Sequence, residues 1–74
     1  MSKLPRNVRP QRLTKFLESL GFQKGRGKGS HIRMIHPDGR WTQVAVHHGP
    51  VPTGTLRKVI RQAELADEEI SQLK

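Results

Sequence analysis

The 74-residue chain contains no cysteine, which excludes a disulfide framework and a zinc site built on thiolates. No apolar run approaches the roughly 20 residues of a membrane span, and no signal-peptide pattern is present, so we expect a cytoplasmic protein. A chain of this length supports one marginally stable core. It leaves no room for a second module or a deep active site.

Acidic residues are scarce, and they are absent from most of the first half of the chain. The net charge is +8. Residues 1–33 hold nine of the fourteen lysines and arginines and a single acid, Glu18, whereas residues 34–74 hold five bases and five acids. Charge concentrated in this way is typical of a protein that binds a polyanion. The alternative is that the charge only keeps a small protein soluble.

The first third of the chain predicts a basic arm followed by a helix. Pro5 and Pro10 disfavour helix over residues 1–9, which we expect to form an extended arm. From Pro10 onward, apolar residues follow helical spacing, and Gly21 is suited to a left-handed stop. We therefore expect a helix over residues 10–20. Its apolar stripe consists of Leu13, Phe16, Leu17 and Leu20.

Three short β-rich segments follow, over residues 22–24, 30–36 and 41–46, and the turn residues 37–40 separate the last two. Short connections favour an antiparallel meander. The more apolar face should lie under the helices and carry Ile32, Met34, Thr42, Val44 and Val46. The other face should expose His31, Arg33, Ile35, Trp41, Gln43 and Ala45.

Two further helices are predicted after the prolines of residues 47–52. Thr53 or Thr55 should cap the second helix, and Asp67 should cap a short last one. The buried positions of these helices are Leu56, Val59, Ile60, Ala63, Ile70 and Leu73. The order α-β-β-β-α plus a short extra C-terminal helix predicts an α+β fold, a two-layer sandwich like that of double-stranded-RNA-binding domains.

The segment between the first two strands combines glycines with cations, and reads Lys24-Gly25-Arg26-Gly27-Lys28-Gly29-Ser30. Glycines allow close approach to a ligand, and the cations favour an anionic one. The spacing is neither that of a dinucleotide-binding motif nor that of a P-loop. We expect phosphate contact here, with a simple flexible connection as the alternative.

His31 is the candidate catalytic residue, because histidine moves protons near neutral pH and this one directly follows the cationic loop. It could take the proton of a ribose 2′-hydroxyl while Lys28 and Arg33 hold the phosphate. No second acid or base is evident, so we expect a slow enzyme. The histidines do not form a recognised metal-ligand spacing, and no metal site is expected. His36 is expected at the surface, and His48, beside His47, is a further candidate for ligand contact.

Four strings give the chain a family resemblance over about residues 10–73. They are Gly29-Ser30-His31, Ile32-Arg33-Met34, Val44-Ala45-Val46-His47-His48 and Gly54-Thr55-Leu56-Arg57-Lys58-Val59-Ile60-Arg61-Gln62-Ala63. With them the chain resembles the HicA family of toxin ribonucleases. Family members often carry proline at the position of His47, and the arm and the glycine loop are more basic here than the resemblance leads us to expect.

The resemblance implies a double-stranded-RNA-binding-like domain over residues 10–74, mRNA cleavage without a metal or other cofactor, and catalysis by His31. It also implies a HicB-type antitoxin that covers His31. The expected RNA contacts are Lys24, Arg26, Lys28, Ser30 and Arg33.

Two other functions stay open from the residues alone. A non-catalytic RNA-binding module would share the charge and the fold, although such domains place cations on the second helix, which here offers only Arg57, Lys58 and Arg61. A protein adaptor would use the apolar pair Ile35 and Trp41.

Overall fold

The computed structural model describes residues 4–27, 29–46 and 49–73. Its elements are α1 (Pro10–Ser19), β1 (Gln23–Lys24), β2 (His31–Ile35), β3 (Trp41–Ala45), α2 (Thr53–Gln62) and α3 (Asp67–Ser71). The strands form one antiparallel sheet in the order β1-β2-β3. The predicted α+β arrangement of the double-stranded-RNA-binding type is confirmed. None of the helices seen in these ranges has the length and apolar character to cross a membrane.

Helix α1 begins and ends as its sequence predicts. Pro10 occupies the first helical position, where its missing N–H costs nothing. At the other end Gly21 has a φ of +101°. The N–H of Phe22 donates to the carbonyl oxygen of Leu17, and the N–H of Gly21 donates to that of Glu18, both at 3.0 Å. These are the two hydrogen bonds of a Schellman ending, and they turn the chain directly into β1.

The strand register produces the two predicted faces. His31 pairs with Ala45, and Ile35 pairs with Trp41 at the other end of β2 and β3. Successive side chains alternate between faces, so Met34 and Val44 are buried under the helices. The opposite face is open. The helices therefore anchor the sheet from one side and leave the other for contact with a ligand.

The N-terminal segment is more closely attached to the domain than its composition suggests. Val8 is 2% exposed and belongs to the core, and Leu4 packs against that core. The N–H of Val51 donates to the carbonyl oxygen of Val8 at 2.7 Å. The described part of the predicted arm, residues 4–9, is thus packed on the domain, and it is not extended throughout, because the chain bends at Arg6 and Asn7, where Asn7 has a φ of 59°. Its two apolar side chains follow no periodic pattern, so sequence periodicity did not reveal them.

The predicted helix caps are wrong in detail. Helix α2 already includes Thr53, its N-cap is Pro52, and no side chain caps it. Helix α3 begins at Asp67, but the N-cap is Ala66, whose N–H donates to Oε1 of Glu69 at 2.9 Å. The fixed extended backbone of proline serves as the lead into α2. Asp67 acts instead through its charge in the first turn of α3, where the helix dipole favours an acid.

Polar contacts join the start of β3 to α2. The buried hydroxyl of Thr42 donates to Oε1 of Gln62 at 2.8 Å. Nη1 of Arg40 donates to the carbonyl oxygen of Ala63 at 2.9 Å, while its Nε donates to Oδ2 of Asp38 at 2.7 Å. A cation at the C-terminus of α2 is favoured by the helix dipole. Arg40 is therefore a structural residue.

His36 is half-buried, which differs from the expectation of a surface residue. Its Nε2 lies 3.1 Å from the carbonyl oxygen of Leu20, and its ring packs edge-on against Phe22 with centroids 5.0 Å apart. Only a ring N–H can bond a carbonyl, so Nε2 carries the proton and Nδ1 accepts the N–H of Asp38 at 3.1 Å. His36 thus fastens the end of β2 to the end of α1.

Candidate functional site

His31 lies at the first position of β2, on the open face of the sheet, and its side chain is exposed. Its backbone is paired with Ala45 of β3. Within the described part of the chain, the imidazole has no hydrogen-bond partner. A fixed backbone and an exposed ring are what a proton-transfer group at a surface requires.

The glycine loop is held against the start of β2. The N–H of Gly25 donates to the carbonyl oxygen of Arg33 at 2.7 Å, which extends the ladder between β1 and β2. A methyl group on the Cα of Gly27 would lie 1.7 Å from the carbonyl oxygen of His31. Only glycine allows this approach, so the loop has a defined position beside His31. Gly29, at a φ of +60°, then turns the chain into β2.

The predicted phosphate contacts do not all share the face of His31. Arg33 does, since it lies two residues further along β2 and is exposed. Arg26 is exposed between two glycines that touch the backbone of β2. Lys24 is exposed but pairs with Met34, so its side chain leaves the sheet edge on the helix side.

Ser30 also alternates away from the open face. It is exposed, and its carbonyl oxygen accepts the N–H of Val46 at 2.6 Å, which continues the ladder between β2 and β3. The period of two that exposes His31 turns both of its chain neighbours to the other side. The predictions made for Lys28, His47 and His48 lie outside the described residues.

Arg33 contacts Trp41, whose exposure was predicted from the sequence although the contact was not. Its guanidinium carbon lies 5.4 Å from the ring centroid of Trp41. Trp41 is 47% exposed and Ile35 is 43% exposed. A shallow open depression lies between these three side chains and Gly39. The diagonal relation of Arg33 and Trp41 across an antiparallel pair was the available signal, because such neighbours are within reach of long side chains.

The charge of the open face is not balanced by nearby acids. Strands β2 and β3 contain no acidic residue. In residues 4–27, 29–46 and 49–73 the ion pair between permanently charged groups is that of Asp38 with Arg40. The Arg40 N–H donates to Oδ1 of Asp38 at 3.0 Å, and this bond, together with the guanidinium, lowers the pKa of Asp38 below 3.8. The Asp38 carboxylate is thus bound to Arg40 at the turn. The positive charge of Arg33 therefore stays available to an anion.

The same described ranges contain no group of three histidine, cysteine, aspartate or glutamate side chains placed to hold a metal ion. The open face offers to a ligand an imidazole, the guanidinium of Arg33 and an indole. Such a set can transfer a proton, bind phosphate and stack on a planar group.

Comparison with known proteins identifies a family. No curated protein is significantly similar to the chain. A family model described as the HicA toxin of bacterial toxin-antitoxin matches residues 10–65. The matched region contains all three strands, helices α1 and α2 and the glycine loop with His31, and it spans well over half of the 74 residues. The chain therefore belongs to the HicA toxin family of bacterial toxin–antitoxin systems.

Proposed function

We propose that this HicA toxin is a metal-independent endoribonuclease that cleaves mRNA with His31 as its catalytic residue. The observation that supports this most directly is the exposed imidazole at the start of β2, beside a close-packed cationic loop. Its face of the sheet carries Arg33 and no acidic residue on β2 or β3. An RNA backbone would meet a base and positive charge at the same place.

The reaction is an internal transfer of the phosphoryl group. One imidazole nitrogen of His31 takes the proton of the ribose 2′-hydroxyl, and the 2′-oxygen then forms a bond to the adjacent phosphorus. The bond from phosphorus to the 5′-oxygen breaks, and the imidazolium returns the proton to that oxygen. The products are a 2′,3′-cyclic phosphate and a 5′-hydroxyl end. Arg33 and Arg26 would stabilise the negative charge that grows on the phosphoryl oxygens.

The remaining predicted RNA contacts have different positions relative to this centre. Lys24 and Ser30 leave the sheet on its other side, so they would bind phosphates away from the cleaved linkage. Lys28 remains a proposed contact in the loop, and His48 a proposed contact after β3. One imidazole serving as base and then as acid is consistent with a slow enzyme.

The test compares the cleavage of a defined RNA in EDTA by wild type, His31→Ala and Gln43→Ala. Gln43 lies on the same face but has no role in the proposed chemistry, so its variant should retain activity. Loss of a general base should lower the rate by about 10²- to 10⁴-fold. A substrate with a 2′-deoxy sugar at the cleaved position should resist the wild type. Equal cleavage by wild type and His31→Ala would remove His31 from the mechanism.

A toxin of this family is paired with an antitoxin, and we propose that a HicB-type antitoxin covers His31. The net charge of +8 suits an acidic partner. Diethyl pyrocarbonate modification of His31, measured by mass spectrometry, should be suppressed in the complex and restored in free toxin. If His31 reacts equally in an inhibited complex, masking is wrong and inhibition is conformational.

A non-catalytic RNA-binding module is the alternative function. Arg57, Lys58 and Arg61 are all exposed on α2, which is where RNA-binding domains of this shape carry cations. Tight RNA binding without cleavage over several hours, abolished by Lys58→Ala but not by His31→Ala, would favour it.

A further inference from the structure

We propose that Trp41 is a stacking platform for an RNA base close to the cleaved linkage, an inference that depends on the proposed ribonuclease function for its substrate. Large apolar side chains are normally buried in a small domain. Here Trp41 is 47% exposed and its partner across the strands, Ile35, is 43% exposed. Other large hydrophobic residues in the described part of the chain are buried or half-buried. The exposed pair therefore marks a candidate contact surface.

The position of Trp41 relates it to the catalytic centre. Trp41 pairs with Ile35, which lies four residues after His31 on the same strand and the same face. At about 3.3 Å per residue, the indole lies roughly 13 Å from the imidazole along the sheet. A single strand of RNA that crosses His31 along β2 would bring a base near the cleaved linkage over the indole.

Arg33 lies between His31 and Trp41 along the same face of the sheet. Its guanidinium carbon lies over the Trp41 ring, 5.4 Å from the centroid, so a positive charge stands directly beside the indole. The depression bounded by Arg33, Ile35, Trp41 and Gly39 is shallow and open. No side chain closes its far side, because Gly39 has none and a methyl group there would touch nothing within 4 Å. A flat, open site fits the face of a base.

A protein partner is the other possible occupant of this surface. Two exposed apolar side chains form a small hydrophobic patch, and the neighbouring strands offer cations without acids. Exposed aromatic rings beside arginines on a cationic surface are what proteins use to bind single-stranded nucleic acid. The observations therefore favour a base over a hydrophobic side chain of a partner.

The experiment uses the fact that Trp41 is the single tryptophan of the chain. The His31→Ala variant, which leaves RNA uncut, is titrated with a short single-stranded RNA while indole fluorescence is recorded. Stacking should quench the emission. A set of oligonucleotides with one abasic position moved along the strand should show a position at which quenching is lost.

Variants of Trp41, made in the His31→Ala protein so that the RNA stays uncut, provide the matched comparison. Circular dichroism confirms that each variant folds. Trp41→Phe keeps an aromatic face, whereas Trp41→Leu keeps only apolar area. We expect the Kd of the uncut RNA to rise about 5- to 100-fold for Trp41→Leu and much less for Trp41→Phe. Arg12→Ala, which removes one exposed positive charge on α1, should leave quenching by the oligonucleotides intact.

Three results would overturn the proposal: equal RNA affinity for His31→Ala and for the double variant His31→Ala/Trp41→Leu, RNA bound to His31→Ala without quenching, or loss of antitoxin binding alone in Trp41→Leu. The last would assign the patch to the protein partner. The fluorescence titration measures binding and does not depend on catalysis. If wild type fails to cleave RNA but the indole is still quenched in a base-dependent way, the ribonuclease function fails and the stacking site stands.

Discussion

Replacing Gly27 by alanine tests the closest backbone contact at the proposed active site. The added methyl group would lie 1.7 Å from the carbonyl oxygen of His31 and 2.8 Å from its carbonyl carbon. Contacts between a Cβ and another heavy atom are essentially never shorter than 3.0 Å, so the loop and the strand must separate by about 1.3 Å. The obstacle is backbone on a paired strand, which cannot rotate away as a side chain would.

The expected cost follows from this displacement. Forcing a methyl group into a packed position costs about 1–3 kcal/mol of unfolding free energy. In a domain of this size each kcal/mol lowers the melting temperature by about 4–8 °C. Misplacement of reacting groups by about 1 Å can reduce a rate by about 10²-fold. Gly27→Ala should therefore lower both the melting temperature and the rate of RNA cleavage.

Gly54→Ala is the matched control, because it makes the same chemical change where the space is open. Gly54 lies within α2, and a methyl group there would meet nothing within 4 Å. Alanine is the better helix former by about 0.5–1 kcal/mol, so this variant should melt slightly higher and cleave normally. The melting temperatures of the two variants are measured by circular dichroism, and their cleavage rates are measured with RNA. If Gly27→Ala behaves like Gly54→Ala, the loop does not press on His31 and the argument for its position fails.

Two further predictions concern the scaffold. The folded state holds the pKa of Asp38 below 3.8, so the stabilisation from this carboxylate is present above its ordinary pKa and is lost as pH falls through the lowered value. Urea unfolding over a pH series should show the wild type and Asp38→Asn converging in acid, and parallel curves would contradict this. Val8→Ala should lower the unfolding free energy by about 1–3 kcal/mol, because Val8 is 2% exposed within the core. An unchanged urea midpoint would mean that the N-terminal segment does not pack as described.

The parts of the fold that follow from local periodicity were predictable from the sequence. The stripe of α1 and the stop at Gly21 depend on residues within a few positions of one another. The two faces of the sheet follow from alternation once the turn at residues 37–40 fixes the register of β2 and β3. For the same reason, the exposure of His31 could be foreseen.

The features that the sequence did not reveal depend on contacts between residues distant in sequence. Val8 is buried because it meets the segment around Val51, and no local pattern encodes that pairing. The face of Lys24 depends on its register against Met34, which composition cannot reveal. The steric need for glycine at position 27 exists only because the loop folds back on the carbonyl of His31.

Contacts between distant residues also distinguish the roles of the arginines, which the sequence alone does not reveal. Arg40 is bound to Asp38 and to the end of α2, so it contributes little to an anion site. Arg33 lies beside Trp41 on the face of His31, where strands β2 and β3 supply no acid. Proton transfer, phosphate binding and base stacking are therefore proposed for one continuous surface. A partner that covers this surface would block all three at once, and inhibition of the toxin would then require no change in its own fold.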